Sequence, residues 1–423
     1  MSVFRRDIIA SYTSQIVVVL CNFICSILAA RMLGAKGQGD LALYSSFTGF
    51  VTLLIGMGLP SALVYFIASK KIEKGKVIPL LISATVLFLM LFVMLFFTAK
   101  EMGFMRIFLP NFILENTLWS YVLIVHLLLL MMSQYFNSLL QAEGQFTRSG
   151  ILSIVGSVLL LTLYWIQYSG QVNTGIMPIY WIVGSLFLVA GIQYFVQMLL
   201  LFRIDRTYFA FQHFAVFEIQ SIVAFALLAY AANLVQFLNY KMDLWFINYY
   251  HNSKEMIGVY ALSATLAQIV WHLPNALHNV LYTYVSSNSD WESKLRRAAK
   301  SSHWLLLYGI AAGVFGYLLS IWLVPIWFGD EFSKGSQIIG ILLFGIIPFC
   351  YGIGISAFFA GIHKVYINMY ASMIGLIFCV ILDIWWIPDY GIVGAAYASV
   401  ISYLASTIFL FINFKRIQNS DEN

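Results

Sequence analysis

Val77–Thr98 reads VIPLLISATVLFLMLFVMLFFT, a run of twenty-two residues without a single charge. At 1.5 Å per residue such a run makes a helix about 33 Å long, enough to cross the roughly 30 Å hydrocarbon core of a bilayer. Hydrocarbon offers no water to unpaired N–H and C=O groups, so a stretch of this kind must be helical. Comparable apolar runs cover 8–33, 41–68, 117–141, 149–168, 176–202, 216–240, 256–286, 301–324, 336–360, 365–386 and 391–414. About twelve spans use about 240 residues, and the short connections between them leave no room for a large soluble domain. Only 10% of the 423 residues are charged and 61% are hydrophobic, whereas a soluble domain carries about 25% charged residues. The fold class read from this is an all-α integral membrane protein.

Basic residues set the orientation. Arg5, Arg6, Lys70, Lys71, Lys74, Lys76, Arg148, Arg203, Arg206, Lys294, Arg296, Arg297, Lys300, Lys364, Lys415 and Arg416 all fall on the even-numbered connections or the two ends, whereas the opposite side holds Arg31, Lys36, Lys100, Arg106, Lys254 and Lys334. The positive-inside rule then puts both termini in the cytoplasm. No basic tail or stripe suits nucleic acid. Cys21, Cys25, Cys350 and Cys379 lie in apolar runs with no metal-ligand spacing and read as small core residues, so neither a metal nor another cofactor is expected.

A weak repeat divides the chain. Gly39-Asp40-Leu41-Ala42-Leu43 precedes Leu59-Pro60-Ser61-Ala62-Leu63, and six spans later Gly258-Val259-Tyr260-Ala261-Leu262 precedes Leu273-Pro274-Asn275-Ala276-Leu277. Six spans is an even number, so the halves, 1–206 and 207–423, would share one orientation, as in carriers with parallel repeats.

Polar residues recur at helical spacing. In the eighth run Thr265, Gln268, His272, Asn275, Asn279 and Tyr282 follow steps of 3 and 4, which places them on one face. Facing lipid, that face would go unsatisfied; facing protein or a cavity, it would not. Pro274 should kink this helix. Shorter stripes occur in the first run (Ser11, Gln15, Asn22, Ser26), the fourth (His126, Ser133, Gln134, Asn137, Gln141), the seventh (Asn233, Gln236, Tyr240, Asp243) and the twelfth (Ser399, Ser402, Ser406, Asn413). Interhelical hydrogen bonding and a shared polar interior both account for them.

Charges inside spans are costly, about 2.5–3.5 kcal/mol each at a helix centre on insertion scales, so each needs a partner or a function. Four stand near outer ends: Arg31, Lys241, Asp243 and Asp383. Two readings stand: snorkelling to the interface, or an anion-binding pair (Arg31, Lys241) with a proton or sodium site (Asp243, Asp383).

Three motifs carry a resemblance. Ala30-Arg31-Met32-Leu33-Gly34-Ala35-Lys36-Gly37-Gln38-Gly39 is similar to the A-R-x-L-G-x-x-G-x-G signature of bacterial polysaccharide flippases. Trp327-Phe328-Gly329-Asp330-Glu331-Phe332 resembles their L-F-G-x-x-F connection, and Ile387-Pro388-Asp389-Tyr390-Gly391-Ile392-Val393-Gly394-Ala395-Ala396-Tyr397-Ala398 resembles I-P-x-Y-G-x-x-G-A-A-x-A. The resemblance is to the O-antigen and capsule flippases of the multidrug/oligosaccharidyl-lipid/polysaccharide exporter superfamily. It implies two six-helix bundles around a central cavity. It also implies transfer of undecaprenyl-diphosphate-linked oligosaccharides between leaflets by alternating access, with Arg31, Lys241, Gln268, His272, Asn275 and Asn279 lining the substrate path. The implied partners are the lipid-linked substrate, membrane lipids, H+ or Na+, and polysaccharide assembly proteins. A cation-coupled drug exporter of the same superfamily is the alternative; an enzyme is not expected, since no nucleophile elbow or phosphate loop occurs.

Overall fold

The computed structural model describes residues 3–69, 72–170, 177–210, 212, 216–287 and 290–420. Among them the regular structure is helical: α1 Val3–Gly56, α2 Leu59–Ala68, α3 Lys74–Glu101, α4 Asn111–Glu115, α5 Thr117–Ala142, α6 Phe146–Tyr168, α7 Pro178–Ile204, α8 Val216–His251, α9 Lys254–Gln268, α10 His272–Ser287, α11 Trp291–Phe328, α12 Gly335–Gly361 and α13 Val365–Ser420, with short 3-10 turns between some of them.

Among the described residues, nine helical stretches are long and apolar enough to cross a membrane. The first and last, Thr13–Gly56 and Val365–Asn419, each hold two of the sequence runs, and α8 carries the seventh run. A bend separates the two runs in each long helix: at Gly34 (φ 64°) in α1 and at Gly391 (φ 56°) in α13, conformations that suit a residue without a Cβ. The L-P of each repeat half marks a helix restart. In the first half Met57 and Gly58 take positive φ and Pro60 sits in the opening turn of α2. In the second, a 3-10 turn at Ile269–Trp271 precedes Pro274, whose missing N–H leaves the preceding turn without a partner. The kink expected at Pro274 is therefore a 3-10 break between α9 and α10.

Two compact units divide the chain. The first comprises the chain to Leu33 with Leu43–Leu234. Its core gathers Tyr44, Phe47 and Val51 of α1, Leu63 of α2, Phe96 of α3 and Leu123, Leu127 and Tyr135 of α5. Leu87, Met90 and Met94 of α3, spaced 3 and 4 apart, are 65%, 68% and 71% exposed, an apolar ridge that only lipid can cover. Lys74 reaches Glu143 (2.7 Å) and Asp205 (2.9 Å), and the Tyr208 hydroxyl donates to Glu143 (2.5 Å). Hydrogen bonds from Thr207 and then from Lys74 hold the Asp205 carboxyl down at about 2.

The second unit comprises Gly34–Ala42 with Val235–Asn423. α12 is its centre: 61% of its apolar window is buried against 22% for α11 and α13. Apolar on every side, it packs against α9, α10, α11 and α13.

Candidate functional site

Helices α8 and α13 bring two carboxylates together. Asp243 is 2% exposed and Asp383 is fully buried; neither snorkels to an interface. One ligand atom from each of Asp243, Cys379 and Asp383 lies within 4.8 Å of the others. Asp243 Oδ2 accepts hydrogen bonds from Ser399 Oγ (2.8 Å) and from the Tyr260 hydroxyl of α9. The Cys379 thiol stands between the carboxylates, 3.4 Å from Asp243 Oδ1 and 3.5 Å from Asp383 Oδ2. Asp383 Oδ1 is buried with no hydrogen-bond partner among the described residues.

Local rules explain the convergence. Cys379 and Asp383 are four residues apart on one helical face. Asp383 lies eight residues before Gly391 and Ser399 eight after it, so the bend returns the serine to the depth of the aspartate. A Cβ on Gly394 would stand 2.5 Å from the Trp386 carbonyl oxygen, so a glycine there lets the two arms of the bend close. Ala395, Ala396 and Ala398 are fully buried in the same hairpin. The motif before the last span is thus a hairpin that presents Ser399 to Asp243.

Two carboxylates this close in a low-dielectric interior are held only with positive charge between or upon them. Lys241, half-buried on α8, makes no ion pair with Asp243 among the described residues. The donor set, two carboxylates with the hydroxyls of Tyr260 and Ser399, suits a proton or a hard cation. Cys379 is fully buried, as expected of a core residue, and it also belongs to this cluster, which Tyr260 and Ser399 complete. Its i, i+4 spacing from Asp383 was the signal in the sequence.

The eighth run behaves differently. Thr265, His272, Asn275, Asn279 and Tyr282 are exposed and Gln268 is half-buried. On α10 the exposed apolar residues Leu273, Leu277 and Val280 form a second sector, roughly 150° from the polar one on a helical wheel. Pro274, Leu281 and Val285 bury a third. The helix thus distinguishes a lipid-like surface from a polar one. Arg31 is exposed on α1 in the first unit.

Parts of the other stripes are consumed by packing, while Gln15, Asn22, Gln134, Asn233 and Gln236 are exposed. His126 Nδ1 pairs with the Tyr44 hydroxyl at 2.5 Å, Ser133 donates to Gln197 (3.0 Å), and Ser149 donates to Asn137 (2.5 Å). Ser402 donates to Asn239 (2.8 Å) and Ser406 to the Ala371 carbonyl (2.9 Å). The Ser11 side chain lies outside the described residues.

The two remaining motifs dock on one another within the second unit. Past the Gly34 bend the N–H of Ala35 donates to Glu331 Oε2 at 2.7 Å, a carboxylate capping the first turn of a helix segment. Four residues on, Gly39 lies against the Lys254 and Gly258 backbone.

A chain with this many helices long and apolar enough to cross a bilayer, buried carboxylates on two of its helices and a polar face on a third, is a multi-pass membrane protein in class. It belongs to the polysaccharide biosynthesis protein family, whose profile matches residues 4–289. It is 26% identical over 169 residues to the capsular polysaccharide biosynthesis protein CapF of Staphylococcus aureus, a match spanning 39% of this chain and 42% of that protein. The fold is similar to that of a multidrug resistance MATE family transporter of the MOP superfamily in an inward-facing conformation (TM-score 0.73, 16% identical, 96% of each chain). It is also similar to the lipid II flippase MurJ in an inward closed conformation (TM-score 0.74, 16% identical, 97% of this chain and 87% of that one). At these identities the likeness is one of fold.

Proposed function

We propose that the protein is a flippase that moves undecaprenyl-diphosphate-linked oligosaccharide repeat units across the cytoplasmic membrane by alternating access. In this reading both termini are cytoplasmic, the protein carries its substrate without covalent chemistry, and proton or sodium binding at Asp243 and Asp383 drives the cycle. The observation that carries the reading is the polar sector of α10, exposed yet set apart from the exposed apolar sector, in a chain of the polysaccharide biosynthesis family.

The physical task fits. A pyrophosphate and its sugars cannot cross hydrocarbon unaided, whereas a polyprenyl tail needs no shelter. Gln268, His272, Asn275 and Asn279 supply neutral hydrogen-bonding groups for sugar hydroxyls. Arg31 and Lys241 supply cations for the pyrophosphate. The test is transfer of a lipid-linked oligosaccharide between the leaflets of reconstituted vesicles. Wild-type protein should accelerate transfer, and Arg31→Ala with Lys241→Ala should slow it; equal rates would remove the anion site.

A second reading, a cation-coupled multidrug exporter, is favoured by the similar TM-scores to the MATE transporter and to MurJ. It predicts drug efflux from cells producing the protein and no transfer of lipid-linked sugar.

A further inference from the structure

The Asp243–Asp383 pair is tied a second time, one level further along the same two helices. α8 ends at His251, eight residues or about 12 Å past Asp243. There the Nε2 atom lies 2.7 Å from the carbonyl oxygen of Ile387, four residues past Asp383 on α13. A carbonyl can only accept, so Nε2 carries the proton and donates. Ile387 belongs to the last turn before the Gly391 bend, where helix carbonyls run short of partners.

The histidine's position is preset by its surroundings. Asn252 takes a left-handed φ of 48°, and its N–H returns to the Asn248 carbonyl at 3.0 Å. Ser253 then caps α9 by accepting the Met256 N–H (3.3 Å), so only two residues separate the helices. On the other side, a Cβ at Gly391 would stand 2.5 Å from Met256 Cε and 3.8 Å from His251 Nε2. The ring distance is ordinary contact and only the flexible end of Met256 would have to give, so it is the left-handed φ of 56° that favours glycine at the bend.

One contact between two helices fixes a distance; a second at another height fixes their tilt. We infer that His251 is a positioning residue for the Asp243–Asp383 site: its hydrogen bond to Ile387 holds α8 and α13 at the separation the two carboxylates need to share one cation. The inference rests on the ion-coupling reading above. His251 itself lies a helical turn or more from the carboxylates and touches no ion. Its loss lets the carboxylates drift apart, so cation affinity falls while the saturated rate is kept. Outer partners of ion ligands contribute about tenfold or more to affinity in metal sites, which sets the scale.

The experiment is thermal unfolding of the purified full chain in detergent, titrated with NaCl against choline chloride at constant ionic strength and repeated as a pH titration. Wild-type protein should gain stability with Na+ or H+, and Asp383→Asn should lose that response. His251→Ala should shift half-saturation about tenfold towards weaker binding, and His251→Gln, whose amide N–H can reach the same carbonyl, should stay within about twofold of wild type. Monodispersity on size exclusion separates this effect from misfolding; if His251→Ala does not fold, His251→Asn, which keeps a donor but falls short of the carbonyl, takes its place with the same expected shift. Half-saturation equal to wild type in the donor-lacking or donor-shortened variant overturns the inference alone. A wild type that responds to neither cation overturns the ion reading and the inference with it.

Discussion

Gly39 and Gly258 meet back to back: a Cβ on Gly258 would stand 2.9 Å from the Gly39 nitrogen, and one on Gly39 would stand 3.1 Å from the Gly258 nitrogen. These are the two glycines that open the repeated G-x-x-A-L. Their repetition is explained by contact, since each removes a side chain so that the other's backbone can approach.

Gly39→Ala sets two effects against each other. Alanine favours a helix by about 1 kcal/mol over glycine, but its Cβ would lie 2.7 Å from the Lys254 carbonyl carbon, a backbone atom that cannot rotate away. Overpacking of this kind costs about 1–3 kcal/mol, so the variant should melt lower than wild type. Gly184→Ala, whose Cβ meets nothing within 4 Å, should melt the same or higher. The check is detergent melting curves followed by size exclusion.

Tyr44→Phe removes the partner of a buried histidine. His126 is 3% exposed and bonded to Tyr44, and a buried polar group left unsatisfied costs about 1–3 kcal/mol. The variant should unfold earlier, with transport per folded molecule unchanged. A selective loss of transport would mean that this pair does more than pack.

The Lys74 cluster sets a pH response. The Asp205 carboxyl is held at about 2 in the folded protein, below its unfolded value of about 3.9. Its contribution is therefore complete above pH 4 and lost as pH falls towards 2. Asp205→Asn should flatten that part of the stability curve, and Lys74→Ala should cost no more than about 1 kcal/mol because the lysine is partly exposed. Melting temperatures between pH 2 and 7 measure both.

Much of the fold was legible in the sequence because bilayer thickness imposes run length and backbone satisfaction imposes helix. The helix bends were legible only in part: Gly34 and Gly391 stood in recognisable motifs, but that they join two spans into one bent helix depends on φ values no composition reveals. Asp243 and Asp383 were visible as charges where charge is costly. They were read together as one candidate site; that Ser399 joins them was not legible, because it depends on a hairpin that returns Ser399 to the depth of Asp383. Cys379 was read as core because a lone cysteine in an apolar run has no signature of its own. His126 stood in a polar stripe like that of α10, and only its bond to Tyr44 separates packing from an open surface.

The central claim, a flippase driven by ion binding between α8 and α13, is tested most directly in vesicles holding a lipid-linked oligosaccharide under an imposed Na+ or proton gradient. Wild-type protein should transfer the substrate faster with the gradient than without it, and Asp383→Asn, folded and inserted, should show no gradient-dependent transfer. Transfer by Asp383→Asn that responds to the gradient as fully as wild type would contradict the account.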